Sequence, residues 1–427
     1  MVLDFNKILN LSGFPVEEAK SIFNAVLEKD KTAWQDEKRK EIFNFHYQNN
    51  EFYRNLVKKE ITEWNDVPVI RRNDLKGDFL SKIPKVINSK KLYISNTSGS
   101  SGSPLFFARD PLTHALVWEN VLYCYNQAGL SLEDKQARMF GMSRKKLDKA
   151  KARLKDWLSY RYRFDIFDLS DKALNSWVEH FKRGNFKFIY GYSNTLVVFA
   201  HYLINNNIIL KTIAPKLKCC IVTSEVCTDI DAEILKKGFG IPIYNEYGSA
   251  ELGIIGFKKT DHRYASDELL YLEVLDKNDN ILPDGEIGIL TCTSLFNKAT
   301  PFIRYQLGDL ASIRRFDGKT EILKVAGSLN DLAILPSGKK VPGIAFYFVA
   351  QELVESSHNV KEFLFRQTPE GFNFEYVADK AIADDDLNKI KKAIILFLKE
   401  DINISAVKSE KLLRGKNGKF KHFISSI

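Results

Sequence analysis

The chain is poor in the residues that build a disulfide-stapled or metal-held protein. Its five cysteines, Cys124, Cys219, Cys220, Cys227 and Cys292, form no CxxC pair and no series with metal-ligand spacing. That pattern argues against structural zinc. Cys219 and Cys220 lie in the apolar run LKCCIVTSE, which reads as a buried strand where thiols act as small hydrophobes. No apolar run approaches the roughly 20 residues a membrane helix needs. The opening MVLDFNKILN lacks the charged-then-apolar profile of a secretion signal, so a cytoplasmic protein without a membrane span is expected. No nucleic-acid reader motif, no internal repeat and no Gly-Lys-Ser/Thr Walker sequence is present, and we expect no nucleic-acid partner.

What remains is an enzyme-sized globular composition. Hydrophobic residues make up 44% and charged residues 27% of the 427 positions, close to soluble averages. A chain of this length is expected to form two or three packed units. The net charge is +9, with lysines spread along the chain, which suits a ligand carrying phosphates.

Periodicity divides the chain. The first ninety or so residues, with stretches such as VEEAKSIFNAVLEKDKTAWQDEKRKEIFNFHYQ, read as a helical entry segment. KKLYISNTSGSSGSPLFFARD follows as strand, glycine- and hydroxyl-rich turn, strand. Helical patterns alternating with FKFIYGY, LKCCIVTSE and GIPIYNEYG predict an α/β layered domain, and closely spaced strands from residue 269 predict a β-rich subdomain. After about residue 327 a small α+β unit is expected. We therefore divide the chain into an N-terminal domain over 1–327 and a C-terminal domain over 328–427.

Three features carry chemistry. The loop Thr97, Ser98, Gly99, Ser100, Ser101, Gly102, Ser103, Pro104 offers successive backbone N–H groups and hydroxyls that can converge on an anion. The segment Tyr244–Glu251, YNEYGSAE, follows a strand and ends in a carboxylate able to hold magnesium. In PFIRYQLGDL, Asp309 stands at a strand end, where a carboxylate can accept two hydroxyl hydrogen bonds. Taken alone, each also fits an ordinary turn.

The order TSGSSGSP, YNEYGSAE, RYQLGDL and a terminal NGKFK resembles the adenylate-forming acyl and aryl ligases, within them the phenylacetate-coenzyme A ligase-like branch, including members associated with polysaccharide biosynthesis. The resemblance spans nearly the whole chain. It implies an acyl-adenylate synthetase-like fold: a large layered α/β domain with a β-rich subdomain and a small, mobile α+β C-terminal domain. It implies a ligase that uses ATP and Mg2+ to convert a small-molecule carboxylic acid to acyl-AMP, then transfers the acyl group to a thiol, with coenzyme A as the default. An amine or a carrier protein as acceptor and a non-catalytic binding protein are the alternatives, and a homodimer is left open.

By the same resemblance, Thr97, Ser98, Gly99, Ser100, Ser101 and Gly102 would wrap the ATP phosphates. Tyr247, with Gly248 and Ser249, would face the nucleotide, Glu251 would bind magnesium and Asp309 would hold the ribose. Lys419 would be the catalytic lysine, with Lys416 and Lys421 as rivals in RGKNGKFK. The acyl group is expected beside Tyr192, Ser193, Ser224 and Glu225. Phe140 and Trp118 are read first as core aromatics. Two positions depart from the family pattern: Ala250 replaces the usual hydroxyl residue, and Gly327-Ser328 stands where a Gly-Arg pair is common. His262 has no cysteine neighbours of the kind some relatives use for a metal, and no zinc is expected.

Overall fold

The computed structural model describes residues 5–58, 60–97, 104–141, 146–259, 262–329, 331–356, 360–415 and 418–427. They fold into two compact units, each assembled from separate stretches of chain: residues 1–134, 158–160 and 244–325, and residues 135–157, 161–243 and 326–427.

In the first unit, helices Val16–Leu27, Lys31–Asn49 and Pro111–Gln127 cover a run of antiparallel strands. The starts of two of these helices are encoded locally. The Asp30 carboxylate accepts hydrogen bonds from the Thr32 and Ala33 N–H groups at 2.9 and 3.2 Å. Asp110 caps Thr113 at 3.0 Å, just ahead of Pro111. The strands lie in the order Leu270–Leu275, Gly288–Ser294, Tyr305–Phe316, Lys319–Ser328, His262–Ala265, Gly253–Lys259, Ile243–Ser249. Phe23, Tyr53, Ile70, Phe107, Phe302 and Tyr305 belong to one buried core cluster.

The entry segment is less helical than its periodicity predicts. Helix ends at Leu56, and among the described residues from there to Lys91 the helical elements are the short 3₁₀ turns Trp64–Asp66, Leu80–Lys82 and Ser89–Lys91. Pro68, Gly77 and Pro84 interrupt the pattern there. Ile70 instead docks beside the strand that begins at Tyr305, with Ile70 N–H donating to Arg304 O at 3.1 Å and Gln306 N–H donating to Ile70 O at 2.9 Å.

In the second unit four parallel strands lie in the order Cys219–Thr223, Phe188–Tyr192, Gln136–Met139, Arg161–Arg163. Every residue of Cys219–Thr223 is buried, which bears out the apolar reading of LKCCIVTSE. The C-terminal part of this unit is a four-stranded sheet ordered Ile404–Lys408, Gly371–Ala378, Val360–Thr368, Phe423–Ser425. Helices Ile344–Ser356 and Asp384–Leu398 pack on it around Phe346, Phe365 and Phe374. Asp231, in helix Asp229–Phe239, ties the two parts together: Gln351 Nε2 donates to its Oδ1 at 2.7 Å, and Tyr347 Oη lies at 3.3 Å. The architecture is thus mixed α/β, with β-rich and small α+β parts where the pattern predicts them.

Candidate active site

In the first unit the strands that flank the glycine- and hydroxyl-rich stretch form the expected hairpin. Tyr93–Asn96 pairs antiparallel with Phe106–Arg109. Thr97 closes its base: its N–H donates to Leu105 O at 3.0 Å and its Oγ1 accepts from Leu105 N–H at 3.0 Å. Ser98, Gly99, Ser100, Ser101 and Gly102 lie outside the described residues.

Asp309 owes its direction to a β-bulge. Thr291 pairs with Gln306 but Ile289 pairs with Leu310, so Leu307, Gly308 and Asp309 bulge from the strand against Leu290 alone. Gly308 supplies the φ of +90° that the bulge requires and that only glycine adopts without strain. Just upstream, Arg304 anchors the segment. It is buried at φ +45°, and its Nη1 donates to the carbonyls of Asn65 and Val67 at 3.0 and 2.9 Å, while Nη2 lies 3.3 Å from Glu273.

Tyr247 meets Asp309 directly. Its hydroxyl donates to Asp309 Oδ2 at 2.7 Å, joining residues 62 positions apart. Burial, and then the charge and hydrogen bond of Asp309, hold the phenol well above its ordinary pKa, so it stays a donor. Tyr247 sits at a second bulge, where Gly248 lies so close to the neighbouring strand that a Cβ would come within 2.5 Å of the Gly253 carbonyl. Ser249 Oγ accepts from Leu252 N–H at 3.1 Å and shapes the turn into Glu251.

Glu251 is buried, with 6% of its surface exposed. Tyr305 Oη donates to its Oε1 at 3.3 Å, and Arg72 Nη1 lies 3.8 Å from the same oxygen. Arg72 also donates from Nη2 to Thr97 Oγ1 at 2.6 Å. One guanidinium therefore links the root of the loop to the carboxylate. Arg109, buried beneath the Tyr93 and Phe107 rings, donates to the carbonyls of Ala250 and Glu251 at 2.6 and 3.1 Å. Burial pulls its pKa down to about 10, which leaves it charged at neutral pH. Neither arginine was singled out as a site residue from the sequence; both are placed by contacts between distant segments.

The donor set suits a hard cation. A buried carboxylate offers oxygen ligands, and no cluster of three acidic, histidine or cysteine side chains forms among the described residues. An ion at Glu251 would complete its shell from water and phosphate, as Mg2+ commonly does.

In the second unit, Tyr192 ends a strand and Ser193 opens helix Ser193–Asn205. Both are buried, whereas Ser224 is exposed at φ +69°. Phe140 stacks on Tyr190 at 5.2 Å and lies 4.4 Å from Tyr192, with the Arg138 guanidinium 4.5 Å above its ring. Phe140 therefore packs directly on a residue of the expected acyl site. Trp118 donates from Nε1 to His114 Nε2 at 3.3 Å.

Glu225 connects this strand end to the C-terminal tail. Its Oε2 accepts from Asn194 N–H at 3.0 Å and its Oε1 from Phe420 N–H at 2.6 Å. Burial pushes its carboxyl up to about 7, opposed by those two N–H groups and by the charges of Arg414 and Lys419. Arg414 donates to Asn194 Oδ1 at 3.0 Å and to Glu362. The tail folds into a tight turn, with Gly415 N–H donating to Lys419 O and Gly418 N–H to Gly415 O, both at 2.8 Å. Gly418 needs its φ of +83°, and a Cβ there would meet Ile166 at 2.6 Å. Of the rival lysines, Lys421 is paired with Asp331 at 2.7 Å, and Lys416 lies outside the described residues.

No protein-family model matches the chain. Over 286 residues it is 23% identical to protein CapK of Staphylococcus aureus, covering 64% of this chain and 61% of that protein. Over 128 residues it is 28% identical to phenylacetate-coenzyme A ligase of Pseudomonas putida, covering 28% of this chain and 29% of that one. The chain therefore spans about three fifths of the first relative's length and under a third of the second's. Its fold matches the crystal structure of 2-hydroxyisobutyryl-CoA ligase in the postadenylation state, with a TM-score of 0.69 over 96% of this chain and 90% of that chain at 15% identity. The fold is thus that of a crystallised acyl-CoA ligase, and the motifs and the sequence relatives share a resemblance to the phenylacetate-coenzyme A ligase-like proteins.

Proposed function

We propose that the chain activates a small carboxylic acid with ATP as an acyl-adenylate and passes the acyl group to coenzyme A. One observation carries this reading: the Tyr247–Asp309 and Arg72–Glu251–Thr97 contacts set two motif carboxylates and the root of the hydroxyl loop on one strand framework. The relatives support it, one being a coenzyme A ligase by name and the fold neighbour a ligase captured after adenylation.

In the first step a carboxylate oxygen of the acid attacks the α-phosphorus, an acid–phosphate anhydride forms, and the bond to the β-phosphate breaks with release of pyrophosphate. Residues Thr97 to Gly102 bind the departing phosphates through N–H and hydroxyl donors. Asp309 accepts the ribose hydroxyls, with Tyr247 fixing its orientation. Bound Mg2+ would neutralise phosphate charge, with Glu251 as its protein ligand. Lys419 places an ammonium against the charge shared by the carboxylate and the α-phosphate. In the second step the thiol sulfur attacks the acyl carbon, AMP leaves and the thiol proton is lost to solvent. The C-terminal domain over 328–427 moves between the two steps, carrying Lys419 away.

Incubation with ATP, magnesium and a panel of carboxylic acids tests this reading. We expect acid-dependent AMP and pyrophosphate in equal amounts, and an acyl thioester once coenzyme A is added. AMP formation that needs an amine instead of a thiol would reassign the acceptor, and no AMP with any acid would overturn the reading.

A further inference from the structure

The turn that carries Lys419 is gripped from both ends and from its middle by residues of its own unit. Before it stands Arg414, whose side chain is 9% exposed, and after it Phe420, which is buried. Phe420 N–H donates to Glu225. Gly418 lies so close to the body that an added Cβ would come within 2.6 Å of Ile166 and 3.2 Å of the Gly141 Cα. Arg414 is the unusual member. Its Nη2 alone serves two acceptors, Asn194 Oδ1 at 3.0 Å and a Glu362 carboxylate oxygen, and its guanidinium lies 5.2 Å from the Phe420 ring centre. Nη1 is buried with no partner among the described residues. An arginine that only neutralised Glu362 would present two nitrogens to the carboxylate as a fork and leave neither unpaired. Here the fork is given up for a bond to Asn194, and a buried donor is left unmatched, which costs stability.

The two acceptors stand on different elements. Glu362 belongs to strand Val360–Thr368 of the C-terminal sheet, so it travels with Arg414 wherever the tail goes. Asn194 lies in the first turn of helix Ser193–Asn205, directly after Tyr192 and Ser193. Its N–H donates to Glu225 Oε2, so the carboxylate that anchors Phe420 also fixes the residue that receives Arg414. We propose that Arg414 is a positioning residue for adenylation: its bond to Asn194 seats the Lys419 turn against the strand ends where the acyl group is expected, and that bond gives way to a two-nitrogen pairing with Glu362 when the turn leaves. This inference rests on the proposed function. Arg414 touches no reacting atom and acts through the place it gives Lys419. The unmatched Nη1 keeps the seat reversible, because a seat that satisfied every donor would hold the turn through both half-reactions. An ion pair confined to the C-terminal sheet would have no use for Asn194.

The test uses two variants of the full chain. Asn194→Ala keeps the backbone N–H and leaves Arg414 with Glu362, and Arg414→Lys keeps a charge against Glu362 but offers it from a single ammonium. Truncating Arg414 outright would strip the counter-charge from Glu362, whose carboxyl burial already pushes up. We expect each variant to lower the maximal rate of pyrophosphate exchange into ATP about tenfold, with KM for ATP and acid within about twofold of wild type. Thioester formation from a chemically prepared acyl-adenylate and the unfolding temperature should not change, and the double variant should be no slower than either single one. A wild-type rate in both variants, an equal loss of both half-reactions, or defects that add in the double variant would overturn the proposal. Without substrates, the Phe420 amide should exchange faster with solvent in both variants. Unaltered protection of that amide would overturn the seat given to Arg414 even if no acid supports adenylation, whereas a wild-type chain inactive with every acid would remove the proposed function itself.

Discussion

The two units hold their candidate functional groups by different means. In the first, Asp309 and Glu251 are fixed by side chains from other segments, Tyr247 and Tyr305 on strands and Arg72 on a turn, with Arg109 clamping the backbone at Ala250 and Glu251. In the second, Lys419 sits on a turn without regular structure, and the contacts that place that turn on the body run through Phe420 N–H to Glu225 and through Arg414. A group that must bind nucleotide through a whole reaction belongs on a rigid sheet. A group needed for one half-reaction can sit on a turn with few attachments, where releasing it costs little.

The comparison breaks most sharply at Lys419. Lys419→Ala should reduce pyrophosphate exchange on the order of a thousandfold, while transfer from a chemically prepared acyl-adenylate persists and thermal unfolding is unchanged. Lys421→Ala should leave exchange near wild type, because Lys421 is engaged by Asp331.

Acid should probe each unit next. His46, in the first, is held down to about 4 by burial, and His422, in the second, to about 3 by burial and then by Arg414. Folded-state values below the ordinary 6.5 mean that the unfolded chain binds these protons more readily. The stabilisation is full above 6.5 and is lost as pH falls through the folded values, on the order of 3–5 kcal/mol per site. Each buried imidazole therefore predicts a loss of stability on acidification in the unit that holds it. Hydrogen exchange followed from pH 7 to 4 would show the loss, and His422→Phe should flatten the profile of the second unit only.

Asp309→Ala should raise KM for ATP about tenfold with a smaller effect on kcat, since it removes charge-assisted hydrogen bonds to a bound group. The smallest effect is expected at Glu225. Glu225→Gln keeps the shape but leaves one acceptor oxygen for the Asn194 and Phe420 N–H groups, and should slow exchange several-fold while the Phe420 amide exchanges faster with solvent. Equal amide protection in both proteins would remove Glu225 from any part in placing the tail.

Much of this was legible from local pattern. The hairpin flanking the hydroxyl-rich stretch, the buried Cys219–Thr223 strand and the mixed α+β character after about residue 327 follow from spacing that neighbouring residues decide. Arg72, Arg109 and Arg414 were not legible as site residues, because their partners lie 25 to 220 positions away. Nor was the bulge at Leu307–Asp309, where Gly-Asp reads as a turn until the register of Gly288–Ser294 is known. Residues 57–92 misled because Ile70 finds its partner on a distant strand, which outweighs local helical spacing.

The most direct test of the proposed chemistry is carboxylate-dependent exchange of labelled pyrophosphate into ATP by the wild-type chain across an acid panel, with Lys419→Ala as its control. The wild-type chain should catalyse magnesium-dependent exchange with a narrow set of acids, and the variant should be slower on the order of a thousandfold. Exchange that the variant retains in full would contradict the role given to the tail, and no exchange with any acid would contradict the adenylating function itself.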